Sequence, residues 1–433
     1  KNSSVPIRFI AFCALSEAKG MEIIMDKIHQ SVNRHSNAKP IIILIFGVLI
    51  ILSSLNTSLN SIYKNIGLLS LLIPLITINV GLLVHLLIKK KIPKSYQYII
   101  VFSLILIAWY LIGVVTNSAS IRSLIVPVQI MLMINFFIFC SLINWKITYI
   151  KKIAIVVSIY IVFSFIWWIS SGMTLPFKAY MGNPNVFGAF TFFLLYFPLL
   201  SYASEHKKFK KNMWFLILIL GIILCYVSMA RSLWLCAFAS LLTYMLWPHF
   251  IGSSRRYTWF YLWTIILVTC ATVTYSKLSA FPKIVELNRW VFANTGKSLL
   301  SGRDKFWGSL IDSILERPVL GYGGGADLTD IAGITLSAHN LYIQIGLQVG
   351  IIGLVVFLLI LASVWEMFWN GRNNKTVRIS SAFMVGIIIH QMFEVCLTQN
   401  NVTVGLIQWL IMAIGVSASR LESNIDIYFK ENT

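Results

Sequence analysis

Apolar runs of about twenty residues recur twelve times along this chain, and a bilayer is the solvent that asks for them. In hydrocarbon each crossing segment must satisfy its own backbone hydrogen bonds, which a helix of that length does. The runs fall at roughly 41–56, 66–88, 98–115, 121–143, 152–171, 185–202, 212–229, 232–249, 257–275, 339–365, 379–396 and 402–419. Composition agrees. Of the 433 residues 58% are apolar and 12% charged, and the mean hydropathy is +0.80, whereas a soluble domain carries about 25% charged residues. The expected fold is an all-α polytopic membrane protein of about 12 transmembrane helices.

Charge orients the spans. With the N-terminus inside, 24 of the 35 Lys and Arg residues fall in inner segments, including Lys89 to Lys94, Lys146 to Lys152, Lys207 to Lys211, Arg255 and Arg256, and Arg372 to Arg378. The short outer loops hold four: Lys64, Arg122, Lys178 and Arg231. This is the positive-inside bias, and it predicts both termini in the cytoplasm. It also explains most of the net charge of +20 without nucleic acid as a partner. The expected divisions are a cytoplasmic tail (1–40), nine spans (41–275), a long outer loop (276–338), three spans (339–419) and a second tail (420–433). No small-residue cleavage site follows the first apolar run, so a cleavable signal peptide is not expected. Met21 or Met25 is a candidate start, and the first forty residues receive no functional weight.

The six cysteines share no C-x-x-C spacing and sit mostly in apolar runs, which reads as packing. No zinc-type ligand spacing occurs.

Chemistry-bearing residues concentrate in outer connections. Gly182-Asn183-Pro184-Asn185 has the form of a helix start, and its amides are also candidates for binding sugar or phosphate. Arg231 occupies a very short outer turn, where an arginine either snorkels to the headgroups or binds pyrophosphate with its planar fork. Ser301 and Asp304 have capping-box spacing, ahead of a predicted amphipathic helix over 302–316 on the outer membrane face. Arg303 then falls in its first turn, where the helix dipole disfavours a cation, so a role beyond helix stability is expected of it. Gly321-Tyr322-Gly323-Gly324-Gly325 is a turn needing unusual backbone angles. His339 and Asn340 open the tenth span. There His339 is either an ordinary interfacial residue or a general base. His390 and Glu394 are four apart, on one face of the predicted eleventh helix, as a functional or a structural pair.

Taken together, Ala230-Arg231, Gly302-Arg303 with Trp307, Pro318-Val319-Leu320-Gly321-Tyr322-Gly323, His339-Asn340 and Gly350-Ile351-Ile352-Gly353 resemble the O-antigen ligase and polymerase superfamily, most strongly over about 180–355. The resemblance implies a glycosyltransferase of the membrane C-type architecture in the bacterial inner membrane, with a periplasmic site and no metal or cofactor. Its donor is an undecaprenyl-pyrophosphate-linked oligosaccharide. Its acceptor is a second lipid-linked glycan (polymerase) or lipid A–core (ligase), and the sequence leans to the polymerase. Carried onto this chain, it implies that Arg231 and Arg303 hold the donor pyrophosphate and His339 serves the acceptor hydroxyl. Asn183, Asn185, Tyr322, Asn340 and Glu394 are expected to contact substrate. A twelve-helix polysaccharide transporter or flippase is the rival class, and against it no repeat of one half in the other is visible.

Overall fold

The computed structural model describes residues 40–431, except 90–91, 117–120, 296–297, 299, 301, 326–327, 329–330, 332 and 334–336. The expected N-terminal tail and Ser301 lie outside the described residues. Leu44–Thr433 makes one compact unit, and the whole site lies within it.

The described elements are helical: α1 Pro40–Ser53, α2 Ser61–Lys89, α3 Gln97–Thr116, α4 Ile121–Leu142, α5 Ile147–Ser170, α6 Pro184–Leu194, α7 Tyr196–Ala203, α8 Lys208–Val227, α9 Ser232–Phe250, α10 Ser254–Tyr275, α11 Pro282–Thr295, α12 Trp307–Glu316, α13 Leu341–Met367, α14 Lys375–His390 and α15 Val402–Glu431. Among the described residues, ten helical stretches are long and apolar enough to cross a membrane. They are α2 to α5, the broken pair α6–α7, α8 to α10, α13 and α15. Outward faces carry Leu83, Ile159, Phe238 and Leu267 exposed, the arrangement lipid requires and water penalises.

Two of the twelve expected spans are shorter than predicted. The first run gives the 14-residue α1. The eleventh, expected over 379–396, gives the 16-residue α14, which stops at His390. Apolar letters continue through Met392, Phe393, Val395, Cys396 and Leu397, so hydropathy alone reads through the stop. The backbone of 391–401 is irregular and almost wholly buried, which is tolerated at membrane depth only inside protein. Gln391 fastens it. Its Oε1 accepts from Cys396 N (3.1 Å) and Leu397 N (3.3 Å), its Nε2 donates to Gln408 Oε1 (3.0 Å), and its carbonyl accepts from Leu341 N (2.8 Å).

The tenth span is also broken. Val349 (φ −134°) and Gly350 (φ 69°) interrupt α13, freeing backbone groups that must find partners. The segment after α12 supplies them: Tyr322 N donates to Leu347 O (2.7 Å), Gly323 N to Gln348 O (2.9 Å), and Ile351 N to Pro318 O (2.7 Å). The approach is backbone to backbone. A Cβ on Gly321 would stand 2.5 Å from Leu347 O, and one on Gly350 2.6 Å from Val319 O. The two glycine motifs of the sequence are therefore halves of one joint.

The basic loops gather at one end. Lys151 pairs with Glu205 at 2.8 Å, Lys375 Nζ donates to Ala203 O at 2.7 Å, and Arg420 Nη2 to Leu142 O at 2.9 Å. The loops predicted to lie outside gather at the other end, where Gly182 N donates to Thr57 O at 2.8 Å and Phe177 N to Val227 O at 2.9 Å.

Candidate active site

Arg303 and His339 are brought together by the packing of α12. The expected amphipathic helix over 302–316 is two pieces: a single 3₁₀ turn, Arg303–Lys305, after the left-handed Gly302 (φ 79°), and then α12. Its apolar face packs on protein. Trp307, Leu310 and Ile314 are buried with Ala338, Ile343 and Leu347. The pattern of apolar residues foretold the stripe but not that the start of α13 covers it. Trp307 Nε1 donates to Ala338 O at 2.9 Å, so the turn carrying Arg303 is tied to the residue preceding His339.

His339 itself is left-handed (φ 47°), a conformation few non-glycine residues adopt. The chain turns there so that Asn340 can cap α13, its Oδ1 accepting from Tyr342 N (2.9 Å) and Ile343 N (3.1 Å). Asn340 is fully buried and works as the cap. The imidazole is one-third exposed, and its Nδ1 lies 3.3 Å from Glu394 Oε2.

Glu394 is the centre of the group. Its side chain is 6% exposed, and its other oxygen, Oε1, is 3.7 Å from Arg303 Nη2. Asn401 Nδ2 donates to Oε2 at 3.3 Å. The sequence placed Glu394 on one helical face with His390. Because α14 ends at His390, the carboxylate instead turns toward Arg303 and His339. The His390 Nδ1 lies 3.2 Å from Gln408 Nε2.

Arg231 stands at the N-cap of α9, after the left-handed Met229 (φ 59°). Its Nη2 donates to Ser298 O at 2.6 Å. Asn288 on α11 holds that segment, its Oδ1 accepting from Ser298 Oγ (2.9 Å) and Leu300 N (3.2 Å). Arg231 is close enough for its charge to act on Arg303. Burial pushes the Arg303 guanidinium below its ordinary pKa, Glu394 opposes this, and Arg231 pushes it down further. It nevertheless stays charged at neutral pH, as arginine does. Two guanidinium groups beside one carboxylate leave local positive charge that an anion would neutralise.

The other expected contact residues have structural partners. Asn183 caps α6, accepting from Asn185 N at 2.8 Å with Pro184 at the first position, as its sequence indicated. Tyr322 donates to Glu316 Oε2 at 2.9 Å, and the Arg317 guanidinium stacks 4.6 Å from its ring centre. Asn401 and Gln391, which set Glu394 in place, carried no sequence signal, since amides in an apparent loop between spans are commonplace.

A protonatable ring, a buried carboxylate bonded to it and two arginines at the rim suit transfer chemistry in which a hydroxyl loses a proton and a phosphorylated group leaves. Comparison with known proteins bears on this. Residues 216–358, which hold Arg231, Arg303 and His339, match the family model described as O-antigen ligase. Over that stretch the chain is similar to the O-antigen ligase family. Two curated relatives are also similar to the chain. A protein of Rickettsia conorii named as a polysaccharide ligase is 26% identical over 125 residues, covering 24% of this chain and 30% of its own length. The ComP-specific O-oligosaccharyltransferase of Acinetobacter baylyi is 28% identical over 230 residues, covering 50% of this chain and 40% of its own. The chain thus spans less than half the length of either relative. Glu394 lies beyond the stretch matched to the O-antigen ligase model.

Proposed function

We propose that this protein is a glycosyltransferase of the inner membrane that moves an oligosaccharide from undecaprenyl pyrophosphate to an acceptor hydroxyl at the periplasmic face. The observation that carries the reading is the convergence of Arg303, His339 and Glu394, from three separate connections, with Arg231 beside them.

The reaction follows from the groups present. His339 Nε2 takes the proton of the acceptor hydroxyl as its oxygen bonds to the anomeric carbon of the donor. The bond from that carbon to the pyrophosphate oxygen breaks, and the electron pair leaves with undecaprenyl pyrophosphate. Arg303 stabilises the charge that develops on it, and Arg231 helps to hold the pyrophosphate; removing a preorganised donor of the first kind typically lowers kcat about 10²- to 10³-fold. The proton on His339 passes to water or to the departing anion.

The nature of the acceptor is a finer matter. The sequence leaned toward polymerisation of surface-polysaccharide repeat units. The ligase family model, together with relatives named for ligation and for oligosaccharyl transfer, supports transfer of a glycan onto a different acceptor, lipid A–core or a protein hydroxyl. We take the ligase-type reaction as the working assignment, with polymerisation as the alternative. Purified protein is incubated with an undecaprenyl-pyrophosphate repeat unit, with and without lipid A–core. A product that needs lipid A–core supports ligation. A ladder of lipid-linked repeats without it means polymerisation, and release of nothing from the carrier in either arm overturns the assignment. In cells, deletion leaves naked core with lipid-linked polymer accumulating for a ligase, and a single-repeat band for a polymerase.

A further inference from the structure

We propose that Glu394 is a positioning residue rather than a substrate contact: it fixes which nitrogen of His339 is free to act as the base and holds Arg303 in register with it. This rests on the transferase reading above and assigns a role that the reading does not require.

The geometry separates the two halves of the carboxylate. Oε2 faces His339 Nδ1 at 3.3 Å, and Oε1 faces Arg303 Nη2 at 3.7 Å. A carboxylate only accepts hydrogen bonds, so the proton on the His339 ring sits on Nδ1 and the lone pair on Nε2. An imidazole without this partner divides its proton between both nitrogens and turns about its χ2 torsion. The same carboxylate favours the imidazolium that forms when the hydroxyl proton is taken. Glu394 is itself well located for this work. It is almost completely buried, Asn401 donates to the oxygen that faces His339, and the irregular loop around it is stitched to α13 and α15 by Gln391. Its Oε2 is committed to His339 and Asn401, and its Oε1, which makes no hydrogen bond and faces Arg303 at 3.7 Å, is buried out of a sugar's reach.

Other charged groups also face this cluster. Arg231 lies beyond Arg303, Asp304 shares the Arg303 turn, and His390 stands behind Glu394 at the end of α14. Each is unchanged in the variants below, so the differences read Glu394.

The test uses full-length protein in nanodiscs and three variants: Glu394→Gln, Glu394→Asp and Asn401→Ala. The ¹⁵N NMR shifts of the His339 ring, assigned by their loss in His339→Ala, read without any substrate which nitrogen carries the proton. Transfer from an undecaprenyl-pyrophosphate-linked oligosaccharide is measured in parallel. With Glu394→Gln, the single Nδ1–H form gives way to a mixture of the two tautomers, and kcat drops about 10²-fold or more while donor KM changes less than threefold. Glu394→Asp restores the Nδ1–H form. Asn401→Ala, which leaves the carboxylate in place but loosens it, lowers kcat two- to tenfold. An unchanged tautomer in Glu394→Gln overturns the proposal, as does a loss expressed in KM with kcat intact, which is the signature of a substrate contact. If instead His339→Ala keeps full transfer activity, the base assignment fails; inactivity of His339→Ala with an unchanged tautomer in Glu394→Gln overturns the positioning role alone.

Discussion

Pro318 and Gly350 meet across the break in α13, the Pro318 carbonyl accepting from Ile351 N at 2.7 Å while Gly350 turns left-handed (φ 69°) to admit it. A side chain at Gly350 is opposed twice. The extended positive-φ backbone there (φ 69°, ψ −174°) alone costs a non-glycine residue roughly 1–3 kcal/mol, and a Cβ would press on the Pro318 and Val319 carbonyls. Gly350→Ala is therefore expected to lower the melting temperature in detergent and to reduce transfer activity, because the displaced segment leads directly from α12. Wild-type melting of Gly350→Ala would remove the close approach.

Arg303 and Arg231 differ in setting, one 15% exposed on its side chain and paired with Glu394, the other exposed. Arg303→Lys keeps a charge but loses the planar fork. It is expected to cut kcat about 10²-fold, whereas Arg231→Lys acts mainly on donor KM. Steady-state kinetics against donor concentration separates the two, and equal behaviour of both variants contradicts the division.

Trp307 fills the interface of α12 with α13 and donates to the Ala338 carbonyl. Trp307→Phe keeps most of the packing but leaves the buried Ala338 carbonyl without its donor, costing about 1–3 kcal/mol of stability and a disproportionate share of kcat through His339. Trp307→Ala costs about 3–5 kcal/mol. A thermal melt beside an activity assay reads both effects, and equal activity of Trp307→Phe and wild type rejects the tie to His339.

At the opposite end of the bundle, Lys151 and neighbouring backbone N–H groups hold the Glu205 carboxyl down at about 2, against an ordinary value of 4.5. A depressed carboxyl stabilises the fold above its unfolded pKa. The contribution is fully present at neutral pH, begins to fall below about pH 4.5, and is gone once pH reaches about 2. Lys151→Met should thus melt below wild type at pH 7, with the gap closing as pH falls through that window. A gap independent of pH contradicts the pairing.

Most of the span layout was legible because hydropathy reports on burial in lipid residue by residue. The Asn183-Pro184 cap and the need for left-handed glycines were legible for the same local reason: each depends on a few adjacent residues. The break at Val349–Gly350 was not, since α13 stays apolar across it and the cause is a segment, Pro318–Gly323, that lies 26 to 32 positions upstream. Nor was the end of α14, where Met392 to Leu397 mimic a continuing span. In the site, Arg231, Arg303 and His339 stood out by residue type and by place in outer connections. Glu394 stood out too, but with the wrong partner, because helical spacing paired it with His390 and only the stop at that residue releases it toward His339.

The irregular connection between α14 and α15 gives the molecule an interchangeable part. It supplies Glu394 but neither arginine nor His339, which lie within 216–358. Under the proposed reaction, a descendant that rewrites 391–401 and preserves the rest keeps both guanidinium groups and the imidazole while changing how that ring is held. The groups assigned to the donor and the orientation of the assigned base can therefore drift at separate rates.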